Sequence, residues 1–210
     1  MRHPNTLTSV SNLAFVLQEQ GQYGEAEKLN RRALEGRETV LGKQHPDSLT
    51  SLSNLAFTLR LQEKYDESEA LNRQALEGRE EQLGMQHPDT LTSLNNLALV
   101  LRDQEKYEEA EGLSRRALQG YHTELGAHHP YTLTSLSNLA SILQDQCKYS
   151  EAEAMNRRVL EAYEKELGMH HPDTLRSVSN LASVLQGQKR YAEAEARLSG
   201  FGTRSLARSR

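Results

Sequence analysis

The chain has 210 residues, of which 36% are hydrophobic and 26% charged, with a formal net charge of −4. This weak negative charge gives no reason to expect binding to nucleic acid or to an anionic membrane surface. No run of about 18 apolar residues and no apolar signal segment occurs, so we expect no membrane partner. The single cysteine, Cys147, cannot form an internal disulfide, and we expect a soluble, cytoplasmic protein.

His-Pro pairs recur with a period of 42 residues, at positions 3–4, 45–46, 87–88, 129–130 and 171–172. An Asn-Leu-Ala triplet begins nine residues after each of these histidines. A period of this length is typical of a solenoid, in which one supersecondary unit is copied and stacked. The sequence therefore predicts a repeat array over residues 3–198, with units 3–44, 45–86, 87–128, 129–170 and 171–198.

Each unit has the pattern of two antiparallel helices, which predicts an all-α fold. The first helix begins at the proline, whose missing N–H suits the first helical position, and an acceptor or acid follows in four units. It runs to a glutamine at 20, 62, 104, 146 or 188, and a short turn leads to a tyrosine that begins the second helix. The second helix ends at Leu-Gly, where we expect glycine to adopt the left-handed C-cap conformation.

The fifth unit departs from this pattern. Arg197 stands where the other units have leucine or methionine, and we expect the helical register to be lost there. Residues 199–210 have the composition of a flexible basic tail. Neither end shows an obvious polar cap, so we expect a piece of a longer array, or a truncated or altered reading frame.

The motifs Leu-x-x-Leu-Ala-x-x-Leu, Tyr-x-Glu-Ala-Glu and Arg-Ala-Leu resemble the tetratricopeptide repeat, and the resemblance covers residues 3 to about 196. The His-Pro-Asp starts and Leu-Gly ends are similar to those of kinesin light chains. They are equally similar to arrays at the C-terminal end of fungal and bacterial nucleotide-binding sensor proteins. The resemblance implies a right-handed superhelical solenoid of antiparallel helix pairs that binds peptides in a concave groove lined by the first helices.

The first helices offer one face to a ligand. In the third unit the apolar stripe comprises Leu91, Leu94, Leu97, Ala98, Val100 and Leu101. The remaining face carries Thr92, Asn95, Asn96, Leu99, Arg102 and Asp103. An asparagine occupies the same position of this face in all five units, and we call the five the amide column: Asn12, Asn54, Asn96, Asn138 and Asn180.

Each amide of the column supplies two donors and an acceptor, so the five together suit the backbone of an extended peptide. The resemblance to kinesin light chains implies that these asparagines contact cargo peptides. Two alternatives remain open from the sequence alone. The amides can form hydrogen bonds between neighbouring repeats instead, and the face can simply be solvated.

A second group of residues lies beside the amide column. Phe15, Phe57 and Leu99 are off the core stripe, and Arg60 and Arg102 follow two of them, so we call the five residues the apolar–arginine cluster. The resemblance implies that an arginine at this place recognises acidic motifs, which suits a large hydrophobic side chain flanked by acids. The alternative is that both phenylalanines thicken the core. Because Gln18, Gln144 and Gln186 replace arginine elsewhere, we expect acid recognition only in the middle units.

The sequence offers no site for metal, cofactor or catalysis. Five of the eight histidines are separated by a whole repeat, too far to share one ion, and no Gly-rich phosphate loop occurs. No isolated pair of carboxylates or nucleophile stands out, so we expect no enzyme activity and no cofactor. We also expect the exposed arginine pairs, such as Arg157-Arg158, to be balanced by nearby glutamates.

The sequence thus predicts a non-catalytic adaptor that binds a protein or peptide partner in the groove. One alternative is a sensor or oligomerisation segment of a larger nucleotide-binding signalling ATPase, whose other domains are absent from this chain. In that case self-association would replace peptide binding. A gene fragment without independent function is a further alternative, because of the register change at Arg197.

Overall fold

The structure is a computed structural model that describes the backbone of residues 4–206 and the side chains of residues 5–199. These residues form ten α-helices and no β-strand. The helices are α1 (Pro4–Glu19), α2 (Tyr23–Leu41), α3 (Pro46–Leu61), α4 (Tyr65–Leu83), α5 (Pro88–Asp103), α6 (Tyr107–Leu125), α7 (Pro130–Asp145), α8 (Tyr149–Leu167), α9 (Pro172–Gly187) and α10 (Tyr191–Leu206). Odd-numbered helices are the first helices of the units, and the predicted all-α array of helix pairs is confirmed.

The chain divides into two compact units, one ending at Ala117 and the other beginning at Leu118, within α6. In the first unit, each helix from α1 to α5 packs against the next, and α3 also contacts both α1 and α5. In the second unit, α7 to α10 pack in the same succession, and α7 contacts α9. Neighbouring first helices therefore lie side by side within each unit, as a stacked repeat requires.

The core follows the predicted apolar stripe. All six stripe residues of the third repeat are buried, none with more than 1% of its surface exposed. The prediction that Asn95 lies on the open face is wrong, because Asn95 is only 6% exposed. It follows Leu91 by four residues and precedes Ala98 by three, so helical geometry turns it toward the same buried side.

The His-Pro motif caps the first helices in an unforeseen way. The side chains of His45, His87, His129 and His171 occupy the N-cap, and each Nδ1 accepts a hydrogen bond from the backbone N–H two residues later, at 3.1–3.2 Å. The sequence pointed to the following aspartate as the acceptor, yet the cap also forms in the fourth repeat, where Tyr131 follows the proline. The imidazole thus satisfies a backbone donor that would otherwise be free.

The glycines that end the second helices adopt a conformation that differs from the predicted one. Gly42, Gly84 and Gly168 have φ of 93°, 86° and 85°, as a positive-φ cap requires, but ψ of 160°, 164° and 167°. The left-handed helical conformation has ψ near 47°, whereas this extended region is open essentially to glycine alone. A hydroxyl six residues later donates to the glycine carbonyl, for example Ser48 Oγ to Gly42 O at 2.8 Å.

The prediction of a flexible tail from residue 199 is wrong for residues 199–206. α10 continues to Leu206, so residues 199–206 are helical and not irregular, while residues 207–210 lie outside the described residues. Arginine at position 197 is a good helix former and needs no burial to remain in a helix. The helix is anchored near its start by Ala194, which packs with Leu181 and Leu185 of α9.

Partly buried carboxylates join successive second helices. Glu27 of α2 accepts hydrogen bonds from Arg31 of its own helix and from Lys64 of the next repeat, both at 2.8 Å. The pKa of Glu27 falls to about 2. The hydrogen bond from Lys64 is the largest cause of this shift, and hydrogen bonds from Arg31 and Gln62 add to it, whereas burial opposes it. The equivalent Glu69 and Glu153 repeat this arrangement. Burial raises the pKa of both, but the hydrogen bonds they accept lower it on balance.

Acid is expected to weaken the array through these carboxylates. Because the pKa of Glu27 is depressed in the folded chain, its contribution is fully present above about pH 4.5 and is lost as the pH falls toward about 2. After allowance for solvent screening, Glu27→Gln should destabilise the chain at pH 7 by about 1–2 kcal/mol. Urea denaturation followed by circular dichroism between pH 2 and 7 measures both effects, in the pH window that this pKa defines.

Glu25→Gln is the matched control, since Glu25 lies on the same helix and, among the described residues, forms an ion pair with the exposed Lys28 alone, at 2.7 Å. It should change stability by a few tenths of a kcal/mol at most. Equal losses in the two variants would show that net charge, and not the Glu27 contacts, sets the acid response.

Candidate functional site

The amide column lies on the first helices, with one asparagine on each of α1, α3, α5, α7 and α9. Asn12 is exposed, and Asn54, Asn96, Asn138 and Asn180 are partly exposed. Among the described residues, none of the five side chains has a hydrogen-bond partner in the protein. The first compact unit holds Asn12, Asn54 and Asn96 on three neighbouring helices, and the second holds Asn138 and Asn180 on two.

Hydrogen bonds between repeats, the alternative role for the amide column, are formed at a different position. Gln18 donates through Nε2 to Thr58 Oγ1 of the next repeat at 2.6 Å, and Gln144 donates in the same way to Ser183 Oγ at 2.9 Å. Arg60, which is equivalent to these glutamines, approaches Asp103 of the next repeat. The glutamine and arginine position thus connects repeats, and the asparagines remain available to a ligand.

The apolar members of the apolar–arginine cluster lie on the protein surface to different degrees. Phe15 of α1 is 58% exposed and Phe57 of α3 is 45% exposed, whereas Leu99 of α5 is partly buried. About half of the surface of each phenylalanine is exposed, so neither is a core residue. Large exposed apolar side chains next to polar groups are typical of interaction sites.

The two arginines of this cluster share one carboxylate. Asp103 Oδ2 lies 3.5 Å from Arg60 Nε, and Asp103 Oδ1 lies 3.3 Å from Arg102 Nη2. The Arg60 guanidinium also stands 5.8 Å from the centre of the Phe57 ring, within the range of a cation–π contact. Its Nε and Nη1 are buried, yet neither has a hydrogen-bond acceptor among the described residues. Asp103 therefore offsets part of the positive charge but leaves donors of Arg60 unsatisfied.

Two buried arginines on the second helices, Arg37 and Arg79, were not predicted from the sequence. Arg37 of α2 donates through Nη1 to Ser51 Oγ of α3 at 2.7 Å. Arg79 of α4 donates to Ser53 Oγ of α3 at 3.0 Å and to Ser93 Oγ of α5 at 2.5 Å, so it joins two neighbouring first helices. The signal was present, because Arg37 follows Ala26, Asn30 and Ala33 at helical spacing and thus lies on the buried side of α2.

Neither a group of candidate metal ligands nor a membrane span is found in the part of the chain that the structure describes. No three His, Cys, Asp or Glu side chains within residues 5–199 are grouped as metal ligands require. None of the helices described between residues 4 and 206 is both long and apolar enough to cross a bilayer.

The helix pairs, their period and the exposed face of the first helices define a repeat scaffold suited to protein–protein interaction. The chain belongs to the tetratricopeptide repeat family, which matches residues 5–81, 47–121, 89–165 and 131–199 in overlapping segments. This fold is generally a non-catalytic interaction scaffold.

Solved structures place the chain near kinesin-light-chain-like repeats. A Podosopora anserina protein assigned as a kinesin light chain with nearly identical TPR-like repeats is 27% identical, with a TM-score of 0.81 and 100% of both chains covered. BtubC (BKLC) from P. vanneervenii is 26% identical, with a TM-score of 0.78, over 95% of this chain and 80% of that one. RapI in its apo form shares the fold alone, at 16% identity and a TM-score of 0.73 over 93% and 69% of the chains. No curated protein sequence matches the chain.

Proposed function

We propose that this chain is a non-catalytic adaptor that binds peptide segments of a protein partner along its first helices. The observation that carries the proposal is the amide column, five side chains at one helical position without a hydrogen-bond partner among the described residues. Asparagine is a middling helix former, so its recurrence at one exposed and four partly exposed positions is not explained by helix stability. Its amide can donate to a peptide carbonyl and accept from a peptide N–H at the same time.

The spacing of the first helices suits an extended ligand. Packed helices lie about 8–10 Å apart, and an extended chain advances about 3.3 Å per residue. Successive amides would therefore meet every third residue of a peptide that crosses α1, α3 and α5. Such recognition of the peptide backbone tolerates different peptide sequences. A preference for particular peptide side chains comes from the neighbouring apolar–arginine cluster.

The apolar–arginine cluster supports a preference for a large hydrophobic residue flanked by acids. Phe15, Phe57 and Leu99 offer apolar surface, and the unsatisfied donors of Arg60 lack an acceptor that a ligand carboxylate would supply. The Arg60–Asp103 contact is long at 3.5 Å, so exchanging it for a ligand carboxylate sacrifices little. Asp103 is negatively charged and repels a ligand carboxylate. The ligand carboxylate therefore has to lie close to the Arg60 guanidinium for attraction to outweigh this repulsion.

The similarity to a kinesin-light-chain repeat protein at 27% identity over the full chain supports the adaptor role. A cytoplasmic location is part of the proposal and suits the exposed free thiol of Cys147. The proposed mode of binding requires no cofactor, no nucleic acid and no membrane.

Asn54→Ala combined with Asn96→Ala is expected to weaken peptide binding at least about tenfold, because two hydrogen-bonded amides are lost from the centre of the site. The probe is a fluorescein-labelled nonapeptide with a central tryptophan flanked by aspartate and glutamate. Fluorescence anisotropy measures its Kd, and circular dichroism checks that helicity is unchanged. Gln74→Ala, at an exposed position of α4, is the control and should leave the Kd unchanged. Equal affinity of the double variant and the unaltered chain would refute the amide column as the binding site.

A second candidate function, an assembly segment of a larger signalling ATPase, is favoured by one observation. On α1, Leu13 is 51% and Val16 48% exposed, whereas Leu55 and Thr58 at the same positions of α3 are buried. An exposed apolar face of this kind promotes association. A sedimentation coefficient that rises with protein concentration would favour this candidate over peptide binding, provided that the rise is lost in the Leu13→Gln, Val16→Gln double variant.

A further inference from the structure

A pocket in the second compact unit lies outside the amide column and the apolar–arginine cluster. It has a volume of about 260 Å³ and an apolar floor of Leu133 and Leu136 from α7 and Ala162 from α8. Arg158 and Lys165 of α8 and His128 of the loop before α7 form its rim. We call it the α8 pocket. Its residues carry no part of the function proposed above.

The pocket is open because alanine replaces a glycine of the repeat. In the first repeat, a Cβ added at Gly36 would lie 2.6 Å from Cδ2 of Leu7. In the second, a Cβ at Gly78 would lie 2.6 Å both from Cδ2 of Leu49 and from Oε1 of Gln44. The leucine therefore closes over the glycine in both repeats, and in the second repeat the loop side chain of Gln44 does so as well. Ala162 carries a methyl group at this position, so Leu133 and His128 cannot approach in the same way.

The rim carries positive charge that is neutralised at the same position of the third repeat. In the third repeat, Arg116 Nη2 forms an ion pair with Glu80 Oε1 of the preceding second helix, at 3.2 Å. One repeat later, Arg158 takes the place of Arg116, and His122 takes the place of the glutamate. Within the described part of the chain, Arg158 has no carboxylate at ion-pair distance. The expectation that nearby glutamates balance the pair Arg157-Arg158 holds for Arg157, which pairs with Glu153 and Glu193, and is wrong for Arg158.

Lys165 adds a second cation where the earlier repeats have threonine or glutamate. Glu161 also borders the pocket, but neither Arg158 nor Lys165 forms an ion pair with it. His128 Nδ1 lies 3.9 Å from Glu166 Oε1, so this imidazole has an acid of its own. Among the described residues that line the pocket, Arg158 and Lys165 are the cations without an ion pair, and both lie beside the apolar floor.

We propose that the α8 pocket binds the C-terminal residue of a peptide that ends in an aliphatic amino acid. The aliphatic side chain contacts Leu133, Leu136 and Ala162, and the terminal carboxylate binds Arg158 and Lys165. A volume of about 260 Å³ suits a single residue, so a ligand that carries the apolar group and the negative charge on one residue fits the pocket best. Only a C-terminal aliphatic residue has both.

Fluorescence anisotropy with a fluorescein-labelled Ser-Gly-Ser-Gly-Leu peptide tests this proposal. The free carboxylate form should bind, and the C-terminal amide should bind at least about tenfold more weakly. A third peptide, with glutamate next to an internal leucine and an amidated end, should bind as weakly as the amide. Equal binding of the free acid and either of the amidated peptides, or no binding of the free acid, would overturn the assignment.

Two variants locate the binding. Arg158→Gln with Lys165→Gln should weaken binding of the free acid at least about tenfold, and Lys43→Gln, an exposed cation elsewhere, should not. Ala162→Gly restores the residue of the earlier repeats and should also weaken binding, because Leu133 and His128 can then close the pocket without any change of charge. Full binding by the double glutamine variant would place the peptide elsewhere and refute the proposal.

Discussion

Leu97→Ala is expected to lower the free energy of unfolding by about 2–5 kcal/mol, the range for deleting a fully buried leucine side chain. Leu97 is 1% exposed, in the stripe by which α5 packs into the core between its neighbours. In a repeat protein the loss affects the coupling between neighbouring units as well as the unit itself. Urea denaturation measures it, with amide hydrogen exchange to show which helices open first.

The control for Leu97→Ala is Leu13→Ala, the same substitution at the same position of α1. Leu13 is 51% exposed, so its truncation should change stability by less than about 1 kcal/mol. A loss at Leu13 as large as that at Leu97 would mean that in solution this face of α1 is covered, for example by a second copy of the chain.

Gly78→Ala is expected to destabilise the chain by about 1–3 kcal/mol, although alanine is the better helix former. The added Cβ would lie 2.6 Å from Cδ2 of Leu49, which is only 2% exposed and has little room to move. Gly112→Ala, in α6, is the matched control, because nothing lies within 4 Å of its added Cβ. It should stabilise the chain by about 0.5–1 kcal/mol. Thermal and urea denaturation measure both changes.

The same pair of variants tests the geometry that underlies the α8 pocket. If Gly78→Ala stabilised the chain as Gly112→Ala does, the leucine would yield to a methyl group easily. The reason for the open pocket beside Ala162 would then be wrong.

The helix boundaries could be predicted closely because the repeat marks them with residues of fixed backbone preference. The prolines at the starts of the first helices and the glycines after the second helices lie where the pattern placed them. The period of 42 residues also allowed one repeat to be checked against the others. Asn95 shows the limit of this reasoning, since a polar residue was assigned to the open side although helical spacing turns it inward.

Contacts between repeats were harder to predict, because they depend on which side chains meet across helices. Asp103 was assigned to the binding face, but its position between Arg60 and Arg102 was not foreseen. The buried Arg37 and Arg79 were missed because their partners are hydroxyl groups of other helices and no carboxylate marks them in the sequence. The conformation of the glycine caps was only half predicted, since a sequence indicates a positive φ but not ψ.

The roles of the amide column and of the apolar–arginine cluster are predictions that binding must test. Their positions on the first helices follow from the repeat. Among the described residues, the five asparagine side chains have no hydrogen-bond partner, which is a property of the folded chain. The affinity and the preference of the site depend on a ligand that neither the sequence nor the fold specifies.

The most direct test of the central claim is an unbiased peptide-display selection on the chain, repeated with Arg60 and Arg102 both changed to alanine. We expect enrichment of peptides in which an aromatic residue or leucine is flanked by acids, and loss of that enrichment in the double variant. No enrichment on the unaltered chain, or the same peptides on both, would contradict peptide recognition by the first helices as described here.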